Sequence, residues 1–427
     1  MPARHLPVRP DLDQIRHQAK DLLRAIRRGD PDAVAELKQY HPETIDPAHA
    51  KLADAQLVLA RSYEAPSWPR LVLACRLIDA IWRDDADTVR QIVLQNPHVL
   101  HEDALVRRNS NWGPPLTYAA NLGRDRIITM LHEMGATDLR SALSRAALQG
   151  RIETARMLHE MLGRPVPPAG AFGGPAYTLS ASGTALLFDL GATLHDESGE
   201  PSAPVDVVLE TDSRNPPAKH AILEMYVEHG AVLPDTPVMA LHRGRIDLLE
   251  AHLRRDPRLL QRTFSFDEIF PPSLGCHGEE FPRTPMEGVT LLHLCVEFDE
   301  IEIGQWLLER GMNPDEPAAV DARGFGGHTP LFGAVVCYAN FWRNYAGGWA
   351  RTRKPDDSPF ARLLLEHGAN PNARASLRER VYADGHLVET REHRDLTPIA
   401  WGELYHNRIV VSESAMRMIA KHGGAAA

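Results

Sequence analysis

Cysteine is scarce. The 427 residues hold four, Cys75, Cys276, Cys295 and Cys337, none near another in sequence and none in a CxxC pair. That excludes a disulfide framework or a cysteine-rich zinc site and leaves reduced, partly buried thiols. Long apolar runs are missing too. The longest stretches, such as Leu71 to Cys75, fall far short of the ~20 residues that cross a bilayer. Residues 1–10 carry no apolar run of the signal-peptide kind, so the chain is expected in the cytoplasm, away from membranes. Basic charge is in deficit, with a formal net charge of −10. General polyanion binders are basic, so nucleic acid is not the expected partner, although a local basic groove is compatible with an acidic total. Also absent are Gly-x-Ser-x-Gly, a P-loop, a dinucleotide fingerprint and HExxH. No cofactor and no metal are therefore expected.

What is present is ordinary globular material, 43% hydrophobic and 24% charged, which excludes disorder as the main state. The 33 prolines and 30 glycines, spread over the whole length, argue against a coiled coil. The C-terminal half repeats itself. Three segments start on a threonine: Gly288-Val-Thr-Leu-Leu-His293, Gly327-His-Thr-Pro-Leu-Phe332 and Asp395-Leu-Thr-Pro-Ile-Ala400. Two reach a matching end, Leu307-Leu-Glu-Arg-Gly311-Met-Asn-Pro-Asp315 and Leu364-Leu-Glu-His-Gly368-Ala-Asn-Pro-Asn372, and the third runs to Gly423. The threonine caps a helix start, with proline at the first helical position in two copies. The paired leucines give a second helix its buried stripe, and Gly311 and Gly368 stop that helix in a left-handed conformation.

These units resemble ankyrin repeats. The family pattern is Thr-Pro-Leu-His, a small-residue helix, then Leu-Leu-x-x-Gly-Ala-(Asp/Asn)-x-Asn, and Thr329-Pro330-Leu331 and Gly368-Ala369-Asn370-Pro371-Asn372 follow it closely. Weaker copies end at Gly135, Gly163, Gly191 and Gly230, and another covers Pro237 to Leu249. Residues Leu77 to Leu94 form an opening pair, giving about nine pairs. The glycines at 135, 163 and 191 step by 28 residues, so these middle units are expected to lack a full β-finger. The resemblance implies an all-α fold: a solenoid of stacked helix pairs with β-hairpin fingers over 71–427. Residues 1–70 differ. Asp11 to Arg28 is amphipathic through Ile15, Ala19, Leu22, Leu23 and Ile26. Pro31 opens a second helix through Leu37, Leu52 to Tyr63 makes a third, and Ala65 to Pro69 breaks the chain before Leu71. The Leu52–Ala60 segment with Ser67-Trp68-Pro69 resembles the helical extension of many bacterial ankyrin-repeat proteins, implying a cap for the first repeat.

Three connections exceed the pattern. Residues 261–288 carry Phe264, Phe266, Phe270 and Phe281, with Cys276-His277-Gly278-Glu279-Glu280, whose adjacent residues lack metal-ligand spacing. Residues 338–357 interleave Tyr338, Phe341, Trp342, Tyr345 and Trp349 with basic residues, although aromatics form only 6% of the chain. This loop either folds its rings back on the helices or walls a binding site. Residues 373–395 carry Arg374, Arg378, Arg380, Tyr382, His386, Arg391, His393 and Arg394 and are expected to form an elongated finger turning at Asp384-Gly385. Insertions at equivalent points of a solenoid project from one side, so the three are expected to converge on one pocket or groove.

The expected function is molecular recognition, with a partner protein gripped on the concave face and the long C-terminal fingers. The expected binding residues are Trp112, Phe325, Tyr338, Phe341, Trp342, Tyr345, Trp349, Arg374, Arg378, Arg380 and Trp401. The alternative is a small-molecule binder or an acid–base hydrolase, lyase or isomerase using His386, His393, Glu403 or His406 in a pocket walled by the insertions. His293 and Glu297 sit four apart on a helix, but His293 occupies the family's turn position, where its imidazole bonds within the turn.

Overall fold

The computed structural model describes residues 4–426 apart from 5, 107–109, 197, 278–282, 341–356 and 384–385. Phe281, Phe341, Trp342, Tyr345, Trp349 and the turn at Asp384-Gly385 lie outside the described residues. The chain forms two compact units, residues 1–147 with 151–165, and residues 148–150 with 166–427.

The first unit is helical: α1 (Leu12–Arg27), α2 (Pro31–Tyr40), α3 (Leu52–Ser62), α4 (Trp68–Trp82), α5 (Ala86–Gln95), α6 (Pro115–Leu122), α7 (Asp125–Glu133), α8 (Leu139–Leu148) and α9 (Ile152–Met161). Asp11 caps α1 by accepting from the N–H groups of Asp13 and Gln14, and the stripe Ile15, Ala19, Leu22 and Ile26 is buried. Helices α1, α2 and α3 pack on one another, and α1 and α3 pack on α4. Beyond them pair stacks on pair, with α4 against α6 and α5 against α7. Helix α4 begins three residues before Leu71, where a chain break was expected. Ser67 accepts from the N–H of Arg70, and Pro69 sits in the first turn, where a missing N–H costs nothing.

The second unit continues with α10 (Gly173–Thr178), α11 (Ala181–Asp189), α12 (Val205–Glu210), α13 (Pro216–Glu228), α14 (Pro237–His242), α15 (Ile246–Arg255), α16 (Phe266–Ile269), α17 (Leu291–Phe298), α18 (Ile301–Glu309), α19 (Pro330–Val335), α20 (Pro359–Glu366), α21 (Pro398–Leu404) and α22 (Glu413–Lys421). Each helix of one pair packs on its counterpart in the next: α17 on α19 on α21, and α18 on α20 on α22. Short strands β1 (Thr263–Phe264) and β2 (Val289–Thr290) pair antiparallel, closing the 261–288 connection at its base. Strands β3 (Ala375–Ala383) and β4 (His386–Leu396) form the long finger.

The threonine starts are not equivalent. At α17 the Thr290 hydroxyl meets His293 Nδ1 at 2.9 Å, while His293 Nε2 lies 3.0 Å from the His328 carbonyl. At α19 the residue three beyond Thr329 is Phe332, which offers no such group. The Thr329 hydroxyl is buried without a hydrogen bond, so it does not cap its helix as expected. Thr397 keeps the cap, accepting from the N–H of Ala400. All four cysteines are buried free thiols, and burial pushes Cys75 and Cys276 up to about 12.

Candidate functional site: a cleft between two long connections

Every residue of α17 is buried. A helix enclosed all round presents no face to a partner. What encloses it is the end of the 261–288 connection. Thr284 donates its hydroxyl to the carbonyl of Val336 at 2.8 Å and accepts from Trp401 Nε1 at 3.0 Å. Arg283 reaches Glu297 in α17. His328 Nε2 meets the carbonyl of Pro285 at 3.0 Å. This segment therefore braces α17, α19 and α21 from inside the stack.

The same segment forms one wall of a cleft of about 510 Å³. Phe266, Arg283, Pro285, Met286 and Glu287 line that wall. Ala319 to Asp321 and Phe325 line a second, and Leu377, Arg378 and Arg380 of β3 line a third, with Tyr405 behind. Two of the three long connections thus meet here. The third lies outside the described residues except at its two ends, Tyr338 to Asn340 and Asp357, and Tyr338 is buried. Its ring lies 5.7 Å from the Arg214 guanidinium.

Phe325 is the keystone of the finger wall. Its ring is buried, with the guanidiniums of Arg378 and Arg394 at 4.0 and 4.3 Å from its centroid. Arg378 also pairs with Asp321 and, at 3.2 Å, with Glu392. The Phe325 N–H and the Arg378 side chain hold the Asp321 carboxyl down at about 2. Gly326 joins this finger to β3, exchanging both backbone hydrogen bonds with Ser376 at 2.7 and 3.3 Å. Val320, 61% exposed, gives the rim an apolar contact point.

Other expected binding residues are elsewhere. Trp112 and Trp401 are buried at 2% and 0% exposure, which corrects the expectation that they anchor a partner. Trp112 packs on Tyr118 with centroids 4.9 Å apart, and Trp401 packs on Tyr405 at 5.0 Å, so both rings belong to the core. Arg374 is exposed outside the cleft and pairs with Asp395 at 2.8 Å. None of His386, His393, Glu403 and His406 lines the cleft. His386 and Glu403 are exposed and apart from the pair that the fold does bring together.

That pair is His393 and His406, joined by a residue the sequence did not single out. The Glu379 carboxylate is fully buried. It accepts from His406 Nδ1 at 2.6 Å, from the His406 N–H at 2.7 Å and from His393 Nε2 at 3.2 Å. Burial pushes the Glu379 carboxyl up. The His406 N–H and the two imidazoles outweigh burial and hold it below the usual range. A carboxyl depressed in the folded state stabilises at pH values above its unfolded pKa of about 4.3 and loses that contribution as pH falls through the folded value. Hydrogen exchange of β3 and β4 is therefore expected to accelerate below about pH 4 relative to α17. Glu379→Gln removes that acid-specific step, and an unchanged acid profile in this variant refutes the assignment.

A second buried cluster was also missed. Arg214 Nη2 lies 2.6 Å from Glu297 Oε1 and Arg283 Nη1 lies 3.3 Å from the same oxygen. Arg214 also donates to the carbonyls of Glu297, Thr211 and Ser213. Nearby, Glu300 takes Lys219 at 2.6 Å and His220 at 2.9 Å. Burial pushes the Glu300 carboxyl up, but Lys219 and His220 outweigh it and keep Glu300 ionised. The i, i+4 pair His293 and Glu297 is split between this cluster and the turn. Among the described residues no group of three His, Cys, Asp or Glu side chains is placed to hold a metal.

No family model and no curated protein matches the chain. Among solved structures, the human ASB11 ankyrin repeat domain aligns with 73% of this chain and 99% of its own length, at 18% identity and a TM-score of 0.23. No helix among the described residues is long and apolar enough to cross a membrane.

Proposed function

We propose that this chain is a molecular-recognition protein of the ankyrin-repeat class, with residues 1–70 capping an array of stacked helix pairs over 71–427. It takes a partner protein at the C-terminal fingers rather than on the enclosed face of α17. The reading rests on the cleft of about 510 Å³, where connections far apart in sequence converge around Phe325 and an exposed Val320. A rigid finger held to β3 by backbone pairing presents such a rim with little ordering cost on binding. The cleft's walls carry Arg378 and Arg380, and arginine is among the residues that binding hot spots favour.

The test is affinity capture from a native lysate with wild type, with the double variant Val320→Asp and Arg380→Glu, and with the surface variant Arg126→Glu in the N-terminal unit. Proteins retained by wild type and by Arg126→Glu are expected to be lost from the double variant. Equal capture by all three removes the cleft from the binding surface.

A further inference from the structure

Strand β4 is an edge. Ser376 directs both of its backbone groups to Gly326, away from β4. Successive residues of a strand direct theirs to opposite edges, so Leu377, Glu379 and Val381 face β4. Their partners His393, Arg391 and Glu389 face β3 in return. Thr390 and Glu392 therefore aim their N–H and C=O groups outward. Among the described residues no backbone group bonds them there. Side chains from His386 to Thr390 are exposed, as are those of Glu392 and Arg394. Register irregularities lie on either side of the run in which Leu377 to Val381 oppose Glu389 to His393, so among the described residues one short regular window is left unpaired.

An open edge is a template for another strand, and charge usually blunts it. Here the charges follow a self-complementary order. Glu389 and Arg391 flank Thr390, on one face of the strand and 2.9 Å apart. Two copies of one strand pair antiparallel about a two-fold axis that passes through a residue position. Centred on Thr390, the axis sets Glu389 of each copy opposite Arg391 of the other, twice. Centred on Arg391 it opposes two arginines, and centred on Glu389 it opposes two glutamates. Like charges directly opposite are destabilising, so of these three registers the one centred on Thr390 is favoured.

We propose that β4 is a self-association surface, through which a second copy of this chain adds antiparallel in the register centred on Thr390. The two hairpins then form one four-stranded sheet. The contact is short, so the dimer is weak and dependent on concentration and salt. This inference does not depend on the partner cleft.

Sedimentation at low salt, up to the highest soluble concentration, reads the mass. Wild type is expected to dimerise. Thr390→Pro removes an outward N–H that β3 does not use and is expected to weaken association at least ~10-fold. Glu389→Arg and Arg391→Glu each oppose like charges, and each alone is expected to be monomeric. Their equimolar mixture restores both opposite-charge pairs and is expected to dimerise. Circular dichroism checks that each variant is folded, and if Thr390→Pro unfolds the hairpin the charge-swap mixture decides. A wild type monomeric at every concentration overturns the proposal, and so does a dimer that none of these variants weakens.

Discussion

Glu297→Leu lowers the stability of the C-terminal unit by about 3–5 kcal/mol, the cost of leaving buried charge without its partner. Glu297 is the shared anion of Arg214 and Arg283, and all three side chains are at most 5% exposed. The substitution removes the carboxylate that these two enclosed guanidiniums share. Arg214 retains three backbone carbonyls, which limits its loss. Displacement of Arg283 releases the Thr284 brace from Trp401. The added leucine recovers only about 1.5–3 kcal/mol even when fully buried, and this site is shaped for a carboxylate. Glu297→Gln keeps an acceptor oxygen and removes the charge, so it separates charge from shape. Denaturant unfolding followed by tryptophan fluorescence measures both. A loss under ~1 kcal/mol for Glu297→Leu means that water or a rearranged arginine already satisfies the cluster, and the structure's closed arrangement is wrong there.

The helical parts were legible because their signals are local. Asp11, Ser67 and Thr397 accept from N–H groups within three residues. The paired leucines ending at Gly311 and Gly368 declare one helix each, and both glycines have the left-handed φ that stops it. The long finger was legible as an element for the same reason. Its partner was not. Nothing in the residues around Phe325 announces that Arg378 and Arg394, more than fifty positions on, will stack against it. The buried clusters are hidden in the same way. Arg214, Arg283 and Glu297 come from three separate connections or helices, and no periodicity links them. Glu379 reads as one more charge in a solvated strand until the loop after α21 supplies His406. Trp112 and Trp401 failed as anchors because a tryptophan, in a connection like Trp112 or in a helix like Trp401 of α21, covers the core as readily as it projects from it, and sequence alone does not choose.

Gly326→Ala is expected to dismantle the cleft while leaving the helix pairs in place. Gly326 has φ +119°, a conformation that side-chain-bearing residues avoid. A Cβ added there lies 2.0 Å from the Ala319 carbonyl oxygen and 3.1 Å from Val320 Cα, both backbone atoms that no rotamer change can move away. Strain of this backbone kind costs about 1–3 kcal/mol before the clash is counted. The finger therefore gives way, and Gly326 loses its two hydrogen bonds to Ser376 and its bridge to Val320. Phe325 then leaves Arg378 and Arg394, and the second wall no longer faces the third. Gly324→Ala is the control: its φ is also positive, at +81°, but the nearest atom to its Cβ is the end of Arg394 at 3.8 Å. Far-UV circular dichroism is expected to match wild type for both variants, because the finger contains no helix. Hydrogen exchange at Gly326 and Ser376 is expected to rise for Gly326→Ala and to change much less for Gly324→Ala. Partner capture is expected to fall to background in the first and survive in the second. If Gly326→Ala frees those amides yet still captures the wild-type partners, the assembled finger is not what they recognise, and binding belongs to another surface of the unit.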